Sequence, residues 1–327
     1  MIRYLKKSGY FIIYILAFLF FAWALFPSAM AAKAITGLIN EKLSGEKSPI
    51  RVIVGDVSLA FPPGIVLKSS FLRLSTPDNR KTDNRLVAMI DTVTITPNYV
   101  SLLSQEKIFS FKGAAHEGFF KGEFHVADQK AGGVSPFSVR VMIEDVRISA
   151  IPYIKSLSES LEENFTEPKN AVNGGELPTT SSRVSGKLSG NIAFEASGPY
   201  GALDADIGIA DGALEISTSF MKIGHIRFKE LETKMAVKSR KFILEKCIIT
   251  GNIKNRKAGE LTGSAELRKP FRYTALDFEG VLEPTALLGN AAAGQIIEMM
   301  FNLPEKGPDG YRFKVKGTLA KPIVEPK

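Results

Sequence analysis

His116, His125 and His225 are the chain's only imidazoles, so histidine-based metal or general-base chemistry would have to use them. His116 and His125 fall in one segment beside Glu117 and Glu123, a grouping from which a carboxylate–histidine cluster could be built. Their spacing matches no HExxH or comparable zinc pattern, and the polar outward face of a strand accounts for them. Ser-x-x-Lys occurs at Ser44/Lys47, Ser104/Lys107 and Ser219/Lys222, but no SDN or KTG companion accompanies it. A serine nucleophile elbow, a dinucleotide fingerprint and a phosphate-binding loop are all missing. Asp204 and Asp206 could pair as acid and base. Alternation, however, sets them opposite Leu203, Ala205 and Ile207, as on the solvated face of an antiparallel sheet. Cys247 lies inside "FILEKCII" and has no second thiol, so it reads as a small core residue. The spacings Gly118/Gly122 and Gly186/Gly190 lie outside any long apolar run and read as turn glycines. No catalytic, cofactor-binding or metal-ligating residue is assigned, and the chain is expected not to be an enzyme.

The function must then follow from the elements. At 327 residues, 45% of them hydrophobic, the chain has material for one large domain or two ordinary ones. Its formal charge is +8. Arg3, Lys6 and Lys7 precede the first apolar run, and +8 − 3 leaves +5 for everything after it. That is too dilute for a nucleic-acid binder and suits a surface near anionic lipid.

No charge occurs between Lys7 and Lys33, and residues 9–26 are apolar almost throughout, long enough to cross a bilayer as a helix. Arg3, Lys6 and Lys7 hold the N-terminus in the cytoplasm, and Tyr10, Tyr14 and Trp23 lie toward the two ends of the run. A cleaved signal peptide is the rival, since Ala29 and Ala31 form an A-x-A pattern, but the run exceeds a normal signal core. Both versions export the body. Ala34, Ile35, Leu38 and Leu43 then suit an amphipathic helix.

From Pro49 the periodicity changes to two. "IRVIVGDVSLAF" and "GIVLKSSFLRLS" flank a Phe-Pro-Pro-Gly turn, and further alternating segments follow at about ten-residue intervals. "NYVSLLSQEK" reads as a short helical connection, and helix-compatible pieces lie near 150–163 and 283–301. Residues 165–183 are rich in turn-formers and read as a flexible linker. The expected division is an anchor at 1–32, a first β-rich region at 33–164, the linker at 165–183 and a second β-rich region at 184–327. A glycine-led phrase recurs, in "KGEFHV", "SGNIAFEA", "DGALEIS", "TGSAELR", "EGVLEP" and "KGTLAKP", and predicts a repetitive antiparallel meander with one apolar and one charged face.

Several of these stretches carry a resemblance. They are the anchor ending in "ALFP" at 24–27, "GDVSLAFPPGIVLKSSFLRL" at 55–74, "IDTVTITPNYVSLLS" at 90–104, "HEGFFKGEFHV" at 116–126 and the ending "YRFKVKGTLAKPIVEPK" at 311–327. Together they resemble the type II secretion system protein N family (GspN), in the longer form similar to AsmA-type exported proteins. The resemblance implies a mainly β fold, with an N-terminal transmembrane helix followed by a long, curved, antiparallel AsmA-like β-sheet and a few short helices. It also implies an accessory of the type II secretion system, anchored in the bacterial inner membrane with its body in the periplasm. Such a protein would work through contacts with other secretion subunits, with lipid around the N-terminal helix and no cofactor or nucleic acid. The alternative is an AsmA-like carrier that holds lipid acyl chains or another hydrophobic ligand on an apolar concave sheet face. Whether that face is covered or open separates the two.

Overall fold

The computed structural model describes residues 28–43, 50–60, 64–75, 84–127, 137–151, 181–196, 201–217, 222–252, 256–268, 273–288 and 310–327. The apolar run at 9–26 and most of the 165–183 segment lie outside these residues. No helix among the described residues is long and apolar enough to cross a membrane. The fold is mainly β and antiparallel, with few short helices, and the sheet is open. The chain divides into two compact units, Met1–Thr96 and Pro97–Lys327.

In the first unit, helix α1 (Ser28–Leu43) packs on strands β1 (Ile50–Ile53) and β2 (Asp56–Ala60). Ala32 is buried and Ala34 exposed, so the helix turns a slightly different stripe inward than its apolar spacing predicts. Strand β3 (Gly64–Ser75) pairs with both β2 and β1 and, on its other edge, with β4 (Asn84–Pro97). The core is a cross-strand row, Val57–Leu67–Val93, in which Val57 is fully buried. "IRVIVGDVSLAF", expected as one strand, breaks at Val54–Gly55. Opposite the break, Ser69 takes a left-handed φ of 49°, and the Val54 N–H donates to Thr36 Oγ1 at 3.1 Å. The helix thus satisfies the backbone where the sheet ladder cannot.

The second unit is a meander of eleven described strands, each antiparallel to the next. They are β5 (Glu106–Ala115), β6 (Gly118–Ala127), β7 (Phe137–Arg147), β8 (Ser181–Ala196), β9 (Ala202–Ser217) and β10 (Lys222–Lys238). Then come β11 (Lys241–Gly251), β12 (Lys257–Glu266), β13 (Ala275–Leu282), β14 (Tyr311–Thr318) and β15 (Lys321–Pro326). Strand β7 pairs with β8 across the 165–183 segment, whose last residues, 181–183, already belong to β8. A short helix, α2 (Pro284–Leu288), packs on β10, β11 and β12 at one end, with Pro284 and Ala286 buried.

The hairpin turns are not where glycine pointed. His116–Glu117, Ser239–Arg240 and Leu319–Ala320 are two-residue turns, and the first two have φ of 51° and 67° and of 49° and 66°, the left-handed pairs of type I′ geometry. The recurring glycines lie inside strands rather than before them: Gly122 in β6, Gly190 in β8, Gly212 in β9, Gly263 in β12, Gly280 in β13 and Gly317 in β14. Four of the six stand directly opposite a phenylalanine: Gly122 faces Phe111, Gly212 faces Phe228, Gly263 faces Phe278 and Gly280 faces Phe313. A Cβ at Gly212 would come within 2.0 Å of the Phe228 ring, so the missing side chain is the space the ring occupies. The repeat is a cross-strand Phe–Gly pair.

Candidate functional site

Strand register sorts the second unit's side chains onto two unlike faces. One row across all eleven strands reads Phe111, Gly122, Val141, Ile192, Ala205, Met235, Leu244, Gly263, Phe278, Val315, Val324. The row on one side of it reads Phe109, Phe124, Val139, Phe194, Leu203, Val237, Phe242, Ala265, Leu276, Gly317, Pro322. On the other side run Gly113, Phe120, Ile143, Gly190, Ile207, Thr233, Cys247, Leu261, Gly280, Phe313, Pro326. No position in the three rows is charged.

Rings line this face. Phe109–Phe124, Phe124–Phe137 and Phe137–Phe194 follow one another at 6.4, 5.8 and 5.6 Å between centroids, all tilted. Only Ala205, Leu244 and Ala265 within the three rows are buried, and nearly all the larger side chains are half-buried. Cys247, expected in a core, is half-buried here, with Thr233 Oγ1 3.6 Å from its sulfur. A half-exposed Phe or Ile leaves about 1 kcal/mol of its transfer free energy unrealised. The face therefore holds a free-energy gain that a covering apolar partner would release.

The opposite face is charged and internally paired. Lys121 meets Glu144 at 2.8 Å, Lys234 meets Glu245 at 2.8 Å and Lys238 meets Asp204 at 3.1 Å, each across neighbouring strands. Hydrogen bonding to Glu245 raises the Lys234 pKa, and hydrogen bonding to Glu232 raises that of Lys246. Lys314 bridges Asp277 at 3.1 Å and Glu279 at 3.0 Å, which raises its pKa, while Lys327 and Lys314 hold the Glu279 carboxyl low.

The polar residues singled out in the sequence lie on this charged side or in its turns. His125 sits between two carboxylates, with Nδ1 2.9 Å from Glu106 and Nε2 3.4 Å from Glu123. Both ring nitrogens therefore stand beside carboxylates of the charged face. A depression of about 600 Å³ beside it is lined by Phe137, Ser138, Arg140, Phe194, Glu195 and Asp204 among others. His116 lies in the β5–β6 turn, and the side chain of His225 lies outside the description. Ser104 Oγ donates to the Ser101 carbonyl at 2.8 Å and Lys107 Nζ to the Ser104 carbonyl at 3.4 Å, so that Ser-x-x-Lys match is turn scaffolding. Asp204 and Asp206 share the charged face and are exposed, as alternation predicts. Gly122, Gly186 and Gly190, expected in turns, are strand residues. Among the described residues, no three His, Cys, Asp or Glu side chains gather as metal ligands would.

What the sequence did not show is how far the apolar rows extend, because register, not composition, aligns them. The signal available was the Phe–Gly alternation itself. Compared with known proteins, the chain matches no family model, no curated protein and no solved structure.

Proposed function

We propose that this chain is a non-enzymatic protein of the bacterial envelope, anchored in the inner membrane with its body in the periplasm. Its apolar sheet face takes lipid acyl chains or a similar hydrophobic ligand. One observation carries this reading: three adjacent rows without a charge run across eleven strands, and nearly all their large side chains are at most half-buried. A ligand of that chemistry needs no directional groups, which fits the lack of polar anchors on the face.

A role as a type II secretion accessory is supported by the resemblance in residues 55–74, 90–104, 116–126 and 311–327. The last strand narrows how such contacts would be made. The Lys327 N–H donates to the Arg312 carbonyl at 3.1 Å, so in β15 the odd-numbered residues point their N–H groups at β14. The outward N–H positions are then Pro322, Val324 and Pro326, and proline has none to offer. Strand addition at this edge is therefore disfavoured.

The test uses neighbouring residues on opposite faces. A photoreactive phenylalanine is placed at Ile207, and separately at Asp206, in the full chain in native membranes. Ile207 is expected to crosslink to phospholipid and Asp206 not to. Adducts at Ile207 to secretion subunits instead of lipid would establish the accessory reading, and equal lipid labelling at both positions would defeat the lipid one.

A further inference from the structure

The turn leading into β5 inverts the usual order of a surface loop. Two of its polar side chains, Asn98 and Ser101, are spent on its own backbone. Asn98 Oδ1 accepts from the N–H groups of Val100 at 3.2 Å and Ser101 at 3.3 Å. Ser101 Oγ, buried, donates to the Asn98 carbonyl at 2.7 Å and accepts from the Ile108 N–H at 2.9 Å. The 3-10 turn Ser101–Leu103 is closed by the Ser104 N–H on the Ser101 carbonyl at 2.9 Å. The apolar side chains of this pinned turn face water: Val100 is 82% exposed and Leu103 93%, with Tyr99 and Leu102 exposed beside them. Holding four apolar side chains outward on a rigid turn forgoes their burial, which ordinary loop chemistry does not require.

The antiparallel order fixes what else lies at that end of the meander. The β10–β11 and β14–β15 hairpins and the β12–β13 connection point the same way as this turn. They carry exposed Tyr273 and Leu319 together with exposed Arg240, Lys241 and Lys321. Lys238 and Arg268 lie there too, paired with Asp204 and Glu266.

We infer that this end of the sheet docks on an anionic bilayer surface, with Val100 and Leu103 inserted at its tip and the hairpin cations over the headgroups. A protein interface needs about 800 Å² on each side with matched shape, more than four side chains on one turn present. A bilayer needs neither, and Tyr99 has the amphipathic ring that settles at headgroup level. Apolar insertion combined with basic side chains is the chemistry that anionic lipid rewards. The inference stands whether or not the apolar face binds acyl chains.

The experiment places a fluorescent reporter at each end of the meander. In the full chain, Trp23→Phe removes the only tryptophan. Leu103→Trp then reports this end and Phe119→Trp, beside the His116–Glu117 turn, the other. Each protein is reconstituted in phosphatidylethanolamine–phosphatidylglycerol vesicles containing brominated lipid. Quenching is expected to be several-fold stronger at Leu103→Trp. Adding Arg240→Glu and Lys241→Glu should weaken the docked state by roughly tenfold or more, from about 1 kcal/mol for each lost basic contact. Equal quenching at both reporters, quenching at neither, or no response to charge reversal overturns the inference, and circular dichroism verifies that each variant is folded.

Discussion

The two faces of the meander are built on the same strands and differ in what they leave unmet. On the charged face, neighbouring strands supply each other's partners: Lys121 has Glu144, Lys238 has Asp204 and Lys316 has Glu325 at 3.0 Å. On the apolar face the strands supply lateral contacts, ring against ring and ring over glycine, and most of the larger side chains described there stay half-buried. Charges can be satisfied sideways within a sheet, whereas apolar area can be covered only from above. An exposed ion pair such as Lys121–Glu144 contributes under about 1 kcal/mol. The unmet term is therefore apolar, and that directs the functional reading to one face.

The sharpest way to break this comparison is a single methyl group on each face. Gly122 lies in the central apolar row, and a Cβ there would come within 2.0 Å of the Arg140 carbonyl oxygen, a backbone atom that cannot swing aside. Gly208, opposite Ser189 on the charged face, meets nothing nearer than 3.8 Å. Gly122→Ala is expected to destabilise by about 3 kcal/mol through overpacking. Gly208→Ala should be neutral or slightly stabilising, by under about 1 kcal/mol. Urea melts of the two variants measure both, and equal effects would mean the strands do not crowd one face preferentially.

Next in size is truncation of a ring against truncation of a charge. Phe194 lies 5.6 Å from Phe137 and opposite Leu203 and Val139. Because it is half-buried, Phe194→Ala is expected to cost about 2 kcal/mol, roughly half of the full-burial figure. Lys121→Ala should cost under about 1 kcal/mol and lose even that in high salt. If saturating phospholipid enlarges the Phe194→Ala deficit while leaving Lys121→Ala unmoved, the partner of the apolar face is lipid. A deficit independent of lipid would make the ring's role internal.

Much of this contrast was legible in the sequence, and particular residues show why the rest was not. Alternation in "FSVRVMIEDVRIS" and "YRFKVKG" gives strands with one wet face, as observed. The Asp-Gly at 211–212 has the signature of a tight turn, yet β9 runs through it, with Asp211 left-handed at φ 50° as a bulge. Pairing with β8 and β10 on both sides overrides the local preference there. Conversely, His116–Glu117 turns without a glycine because the flanking ladders leave two residues to close it. The ending "YRFKVKGTLAKPIVEPK", whose alternation is interrupted by Gly-Thr-Leu, is a hairpin with Leu319 exposed at its tip and the prolines inside its second strand. Burial was the least legible property, because a half-covered face and a closed core share one alternation pattern.

The smallest expected effect separates the faces by pH rather than by size. Hydrogen bonds from Lys327 and Lys314 lower the Glu279 pKa, and hydrogen bonds to Glu279 and Asp277 raise the Lys314 pKa. A depressed carboxyl stabilises the fold fully above the ordinary glutamate range and stops doing so as pH falls through its lowered value. A raised lysine contributes fully below the ordinary lysine range and is lost as pH climbs through its raised value. Glu279→Gln removes the charge that both shifts depend on. Its melting temperature should lie slightly below that of the unaltered chain at neutral pH. The gap should close in acid, below the ordinary glutamate range, and close again in strong alkali, with salt narrowing it in between. Phe194→Ala should keep a constant deficit over the same range, since nothing titrates around that ring in its row. A Phe194→Ala deficit that varied with pH would mean the charged and apolar faces are coupled through the strands, and the separation of their roles would fail.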